Sequence, residues 1–349
     1  MWLMPSYREY IMPKTILILG VNGFIGSHLV ERILAVTEWK VMGLDLHTHN
    51  LDRVITHPRF EFKQGNVFAE SAWIEQAIQK ADIVLPLVAI ANPALYVKEP
   101  LRVFELDFES NLTVVRWCVK YQKRVIFPST SEVYGMCPDK EFDEETSNFV
   151  QGPISKPRWI YSCSKQLMDR VIAAYGEQGN LSYTLFRPFN FMGPRLDDLH
   201  STQEGSSRAF TQFVGNIMRG QSIRLVDGGE QSRCYIYIDD AIDALMKIIE
   251  NANGAASQEI FNIGNPDNNV SMKTLVETII EEMAKFPSLA PQAAQAKIMV
   301  VSAEDYFGKG YQDVNARVPA IHRAKRLLGW QPKTPLREGI QKTLQFYFA

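Results

Sequence analysis

The first half of the chain switches between two hydrophobic periods. Short β-like runs, most of them nearly continuous in apolar residues, occur at "TILILG" (15–20), "KVMGLDL" (40–46), "FEFKQGNV" (60–67), "DIVLPLVA" (82–89) and "RVIFPST" (124–130). Between them lie longer stretches with helical spacing: "FIGSHLVERILAV" (24–36), "SAWIEQAIQKA" (71–81) and "PLRVFELDFESNLTVVRWCVKYQ" (100–122). The first set predicts strands buried on both faces, and the second predicts the helices that cover them. Alternation of the two predicts an α/β fold with a doubly wound parallel sheet.

After about residue 190 the pattern loosens into glycine- and proline-bearing turns such as "VDGGEQSR" and "GNPDNN". Helices are expected at roughly 206–219, 239–251, 271–286 and 335–347, and strands near 183–187 and 260–263 that return to the main sheet. The Ala/Gln stretch at 289–296 reads as a loop or frayed helix. The predicted organisation is an extension over 1–13, a nucleotide-binding domain over 14–190 and a smaller C-terminal substrate-binding lobe over 191–349. Segments near 222–263 of that lobe are expected to return partly to the main domain.

Composition narrows the class. The chain has 349 residues, 46% hydrophobic and 22% charged, with a net charge of −2. That balance argues against nucleic acid or an anionic membrane as the main partner. No apolar run approaches the ~20 residues of a membrane span. The start, "MWLMPSYREYIMPK", places Arg8 and Glu9 where a secretory leader needs apolar residues, so a cytoplasmic location is expected. Cys118, Cys137, Cys163 and Cys234 form no CxxC pair, which fits reduced thiols and no metal site.

"ILGVNGFIG" sets Gly20, Gly23 and Gly26 between the first strand and the first helix. Such a loop turns tightly and lets pyrophosphate approach the backbone at a helix N-terminus, the Rossmann-type arrangement. Asp45 ends the second strand, where an acidic side chain accepts from ribose hydroxyls and repels a 2′-phosphate. The cofactor expected is therefore NAD. Its contacts are assigned to Gly20, Gly23, Phe24, Ile25, Gly26, Asp45, Asn66, Val67, Leu87 and Ala89, with Asn66 and Val67 near the adenine.

"YSCSK" puts Tyr161 and Lys165 four apart, on one helix face. A phenol is a poor base at neutral pH, and a nearby ammonium with the positive nicotinamide would favour the phenolate. A hydroxyl from "STS", Thr130 or Ser131, can bond the same substrate oxygen. The chemistry implied is hydride transfer from a secondary alcohol, with Tyr161 taking the proton. Glu132 follows directly; on residue chemistry alone it is equally a turn cap, and Arg317 equally a surface ion pair.

GxxGxxG, "PSTSEVYG", YxxxK and "LFRPFNFMGPR" together resemble the extended short-chain dehydrogenases that act on nucleotide sugars, over roughly residues 14–348. Five longer stretches resemble the UDP-glucuronic acid decarboxylase domain of bifunctional polymyxin-resistance enzymes: "LPLVAIANPALYVKEPLRVFELDFE", "FPSTSEVYGMC", "KPRWIYSCSKQLMDRVI", "FRPFNFMGPRLD" and "YFGKGYQDV". The resemblance implies NAD-dependent oxidation of UDP-glucuronic acid at C4, then loss of the carboxyl as CO2. It makes Tyr161, Lys165, Thr130, Ser131, Glu132 and Arg317 catalytic, with Glu132 an acid/base. Arg317 is a weak candidate acid because of its very high pKa, so binding the carboxylate is preferred, with direct donation left open.

It also places Ala91, Tyr96, Thr130, Ser131, Asn190 and Tyr311 around the UDP-sugar, and arginines 158, 208, 224 and 233 suit its diphosphate and carboxylate. Ser206 and Ser207 are expected to cap a helix presenting Arg208. Related 4,6-dehydratases carry an Asp–Glu pair after the threonine, and simple 4-epimerases usually lack the glutamate. Ser131–Glu132 therefore favours decarboxylation, to a UDP-4-keto-pentose or on to UDP-xylose. A formyltransferase half is absent, so no formyl transfer is expected. An epimerase and a non-catalytic NAD-bound scaffold are the rival readings. Relatives pair through two long helices, here about 100–122 and 161–178, which implies a homodimer built on a four-helix bundle.

Overall fold

The computed structural model describes residues 13–201, 207–308, 312 and 314–349. Seven parallel strands form the central sheet: β1 Thr15–Leu19, β2 Lys40–Asp45, β3 Phe60–Gln64, β4 Ile83–Pro86, β5 Arg124–Pro128, β6 Tyr183–Pro188 and β7 Glu259–Ile263. Their spatial order is β7-β6-β5-β4-β1-β2-β3. The order reverses beside β1, and ligands of such sheets bind in the crevice outside the strand ends at that point.

Continuous apolar strands arise because both faces are covered. In β1, Ile16 and Ile18 join one buried cluster while Leu17 and Leu19 join another. On the first face lie helices α1 (Phe24–Val36) and, much later in the chain, Ile238–Glu250. On the second lie α2 (Ser71–Lys80), α3 (Asn111–Lys120) and α4 (Trp159–Glu177). Helices α5 (Ala209–Met218), α6 (Ile238–Glu250), α7 (Met272–Met283) and α8 (Leu336–Phe348) follow. Short strand pairs, Ile223–Val226 with Ile298–Val301 and Ser232–Cys234 with Asn269–Ser271, build up the C-terminal part. In the main sheet β7 pairs with β6, and α6 packs beside α1.

Three expectations change. The strand expected over 60–67 stops at Gln64, and Asn66 instead opens a turn in which its side chain accepts from the Phe68 amide. The strand expected over 82–89 stops at Pro86. The helix expected over 100–122 runs unbroken from Pro100 to Lys120, but its middle, Glu105–Ser110, is a π-helical turn between Pro100–Phe104 and α3. A π-turn widens the ladder, and the Asn111 side-chain amide donates to the carbonyls of Leu106 and Asp107 there. The Ala/Gln stretch holds one short helix, Ala290–Ala294. Residues 1–12, Ser206 and Tyr311 lie outside the described residues.

Candidate active site

The glycine loop meets the physical demands of a dinucleotide. Gly20 has φ +88°, which L side chains rarely adopt. A Cβ at Gly26 would lie 2.4 Å from the Gly20 carbonyl oxygen, so only glycine allows α1 to start this close to the strand. Gly23 caps α1 without a side-chain bond, and Phe24 and Ile25 begin the helix. Asp45 Oδ2 accepts from the Asn22 amide at 2.9 Å and Oδ1 from the Leu46 amide at 2.7 Å, which fixes the carboxylate at the end of β2. Leu87 and Ala89 follow β4, Val67 is half-buried, and Asn66 and Ala91 are exposed.

The next layer is built where β5 ends. Thr130 opens a short 3-10 turn, Ser131–Tyr134, and its hydroxyl accepts from the Glu132 amide at 3.2 Å. Helix α4 presents Tyr161 and Lys165 from the other side, both buried. The Tyr161 ring stacks on Tyr96, with centroids 4.5 Å apart and planes 7° apart. Lys165 donates to the Pro128 carbonyl at 3.1 Å and lies 3.4 Å from Asp107 Oδ1.

The protein's own groups around Tyr161 act mainly to raise its pKa; the expected lowering needs the nicotinamide charge as well as Lys165. Burial pushes the phenol well up, and the Asp107 carboxylate adds to this; a hydrogen bond with Thr130 acts in the opposite direction. Tyr161 is therefore a neutral phenol here, chiefly because it is buried and faces the carboxylates of Asp107 and Glu132. Asp107 was not singled out in the sequence. Its signal was a charged residue in the buried stripe Val103, Asp107, Asn111, Val114.

Glu132 is the centre of a second cluster. Its Oε2 accepts from Arg158 Nη2 at 2.5 Å and its Oε1 from Arg317 Nη1 at 2.5 Å. Arg158 is held in turn by the Gln312 carbonyl at 2.9 Å and lies over the Trp159 ring. Arg233 donates to the carbonyls of Ser232 and Val314 and adds its field to Glu132. Burial alone would raise the Glu132 carboxyl, but Arg158, Arg317 and Arg233 outweigh it and bring the value down to about 2. Glu132 is thus a carboxylate at neutral pH, not a resting acid. The equal alternatives, a turn cap and a surface ion pair, give way to one buried ion triplet.

Other sugar-side residues are placed differently. Asn190 adopts φ 43° and donates to the Cys234 carbonyl at 3.2 Å. Arg208 is itself the N-cap of α5, with no side-chain cap, so a Ser207 cap is not formed. Its guanidinium pairs with Asp197, 2.8 Å between Nη2 and Oδ1. Arg224 lies with its guanidinium 5.5 Å from the Tyr306 ring centre, on the strand Ile223–Val226. Among the described residues no cluster of His, Cys, Asp or Glu could hold a metal ion, and no helix is long and apolar enough to cross a membrane.

A family model described as the NAD dependent epimerase/dehydratase family matches residues 16–264. The chain belongs to that family. NAD is its cofactor, and the glycine loop and Asp45 fit that group. The chain is 51% identical to the PbgP3 protein from Burkholderia pseudomallei, over 97% of this chain and 97% of that one, with a TM-score of 0.88. It also resembles UDP-glucuronic acid 4-epimerase from Bacillus cereus, solved with UDP-glucuronic acid and NAD: 21% identity, 95% and 98% covered, TM-score 0.78. For dTDP-glucose 4,6-dehydratase from Bacillus anthracis str. Ames, in complex with NAD, the values are 22%, 96% and 96%, and 0.76. At such identities the last two likenesses show the fold alone.

Proposed function

We propose that this family member decarboxylates UDP-glucuronic acid oxidatively, and that the observation carrying this reading is the Glu132 carboxylate held between Arg158 and Arg317. Bound NAD supplies the hydride acceptor. Tyr161 takes the proton of the C4 hydroxyl, and Thr130 and Ser131 bond the same oxygen. The C4 ketone lies β to the sugar carboxylate, so CO2 can leave with its electron pair stored at the C4 oxygen, where Tyr161 and Thr130 donate.

The substrate carboxylate has the same chemistry as the group it meets. It competes with Glu132 for the guanidiniums of Arg158 and Arg317. A buried glutamate that loses those partners rises in pKa and takes up a proton. Glu132 then acts as the acid that protonates the carbon left by CO2, and Arg317 acts electrostatically. Arg233 and Arg208 bind the diphosphate, the latter by exchanging Asp197 for phosphate. Ala91, Tyr96, Arg224, Asn190 and Tyr311 complete the proposed sugar contacts.

The product is a UDP-4-keto-pentose, or UDP-xylose if the hydride returns to C4. The protein works in the cytoplasm as a homodimer. The dimer reading rests on α4 and the helical turn Pro100–Phe104 that leads toward α3, which leave Leu167 and Leu101 exposed. The test is release of labelled CO2 from carboxyl-labelled UDP-glucuronic acid with NAD. Wild-type release that falls sharply in Glu132→Gln supports the reading; no release by wild type sinks it and leaves epimerisation or an NAD-bound scaffold.

A further inference from the structure

The stretch "LFRPFNFMGPR" ends on an arginine that the proposed chemistry leaves without a task. Arg195 adopts φ 66°, a left-handed conformation that a long L side chain rarely takes. Its backbone amide donates to the Tyr347 hydroxyl at 2.6 Å, near the end of α8. Its guanidinium meets α1, where Nη1 and Nη2 donate to the two carboxylate oxygens of Glu31 at 2.8 and 3.1 Å. Nη2 also lies 3.0 Å from His28 Nδ1, and His28 Nε2 lies 3.0 Å from the Pro194 carbonyl. One tautomer satisfies both contacts: Nε2 donates to Pro194 and Nδ1 accepts from Arg195. Burial and the Arg195 charge push this imidazole down to about 4, so it stays a neutral acceptor at pH 7. A strained backbone of this kind persists where its surroundings fix it from several sides, and such positions cluster at functional sites.

The remaining bond of the guanidinium leads to the cofactor loop. Nη1 donates to the Asn50 carbonyl at 3.0 Å. Asn50 and Asn22 clasp each other twice. The Asn50 amide donates to Asn22 Oδ1 at 2.8 Å, and Asn50 Nδ2 donates to the Asn22 carbonyl at 2.9 Å. Asn22 stands in the glycine loop, between Gly20 and Gly23, and is buried. Its own amide is the donor that holds Asp45 Oδ2 at 2.9 Å. An unbroken chain of hydrogen bonds therefore joins Arg195 to the carboxylate at the end of β2.

We propose that Arg195 is a positioning residue for the cofactor: seated on Glu31, His28 and Tyr347, it holds the Asn50–Asn22 clasp, and the clasp sets the Asp45 carboxylate that receives the adenosine ribose. The proposal rests on the assignment of Asp45 to that ribose and is independent of the sugar chemistry. Arg195 touches neither the cofactor nor the reacting atoms; it acts through Asn50 and Asn22. Its removal is therefore felt in NAD affinity, and only while Asp45 is there to be positioned.

The test is a cycle of NAD dissociation constants, measured by calorimetry on the full chain without sugar. Arg195→Gln is compared in the wild-type and the Asp45→Ala backgrounds. In the wild-type background the constant should rise about tenfold, the scale of one hydrogen bond from a charged donor. In the Asp45→Ala background the same substitution should change it by no more than about twofold, because the group it positions is gone. Arg195→Lys keeps a charge beside Glu31 and covers the case in which Arg195→Gln does not fold. One ammonium cannot replace a fork that serves Glu31, His28 and Asn50 together, so this variant should also lose NAD affinity, again only when Asp45 is present. Asn22→Ala breaks the clasp with Arg195 in place and should reproduce the loss. Equal losses in both backgrounds, or wild-type affinity in the Arg195 variants or in Asn22→Ala, would overturn the proposal and leave Arg195 as a joint between α1 and α8. A chain that releases no CO2 would sink the decarboxylase reading and leave this result standing.

Discussion

Replacing Glu132 by glutamine tests the ion triplet in its simplest form. The substitution keeps the shape and removes one negative charge from between Arg158 and Arg317, each 2.5 Å away. The Glu132 carboxyl falls from its ordinary 4.5 to about 2 in the folded chain. At ~1.4 kcal/mol per unit, that corresponds to about 3 kcal/mol of stability contributed by the charged form. The group is nearly enclosed, so solvent screening removes little of this. The variant also leaves buried guanidiniums without their carboxylate, which acts in the same direction. Thermal unfolding at pH 7 should therefore fall by about 5 °C for a chain of this size. Because the folded value is depressed, the contribution is fully present above pH 4.5 and is lost as the pH falls toward 2. The gap between wild type and variant should thus be constant down to about pH 5 and narrow below pH 4.5. The same variant should still form NADH from the proposed substrate while releasing little CO2. Equal melting temperatures at pH 7, or a gap that ignores pH, would refute the electrostatic reasoning.

Tyr161→Phe should lower sugar oxidation by roughly 10²–10⁴-fold while leaving the NAD dissociation constant within a few-fold, measured by fluorescence titration. Gly26→Ala sets a methyl 2.4 Å from the Gly20 carbonyl oxygen, so NAD affinity should drop at least tenfold by calorimetry; wild-type affinity would mean that the loop relaxes freely. Leu167→Arg places a charge on the exposed face of α4. Sedimentation should show a dimer for wild type and a monomer for the variant, and a dimer in both would remove α4 from the interface.

Most of the sheet was legible because its inner strands are buried on both faces. Such burial demands unbroken apolar runs, and "TILIL" or "RVIFP" can do little else. The glycine loop was legible because Gly20 and Gly26 answer backbone demands that no other residue meets. The π-turn was not, because "ELDFES" keeps a helical pattern whether the ladder closes at four residues or five. Asp107 thereby escaped, although a carboxylate on an apolar stripe was in view. The pairing of Glu132 with Arg317 joins residues 185 positions apart, and no local pattern encodes that; likeness to a family suggested it, and tertiary packing supplies it. Arg208 shows the converse. Its residue type suited phosphate, yet Asp197, eleven positions earlier, holds it. Charge complementarity within the chain competes with charge complementarity toward a ligand, and sequence alone does not rank the two.

The central claim is that a family site for handling a sugar hydroxyl is joined here to a carboxylate-handling triplet, so that oxidation leads to loss of CO2. Proton NMR of the chain with UDP-glucuronic acid and NAD, with NADH followed by absorbance, tests it most directly. The account predicts a UDP-4-keto-pentose appearing with matching NADH, or UDP-xylose without net NADH. UDP-glucuronic acid that stays intact, or converts only to its C4 epimer with the carboxyl retained, would contradict it.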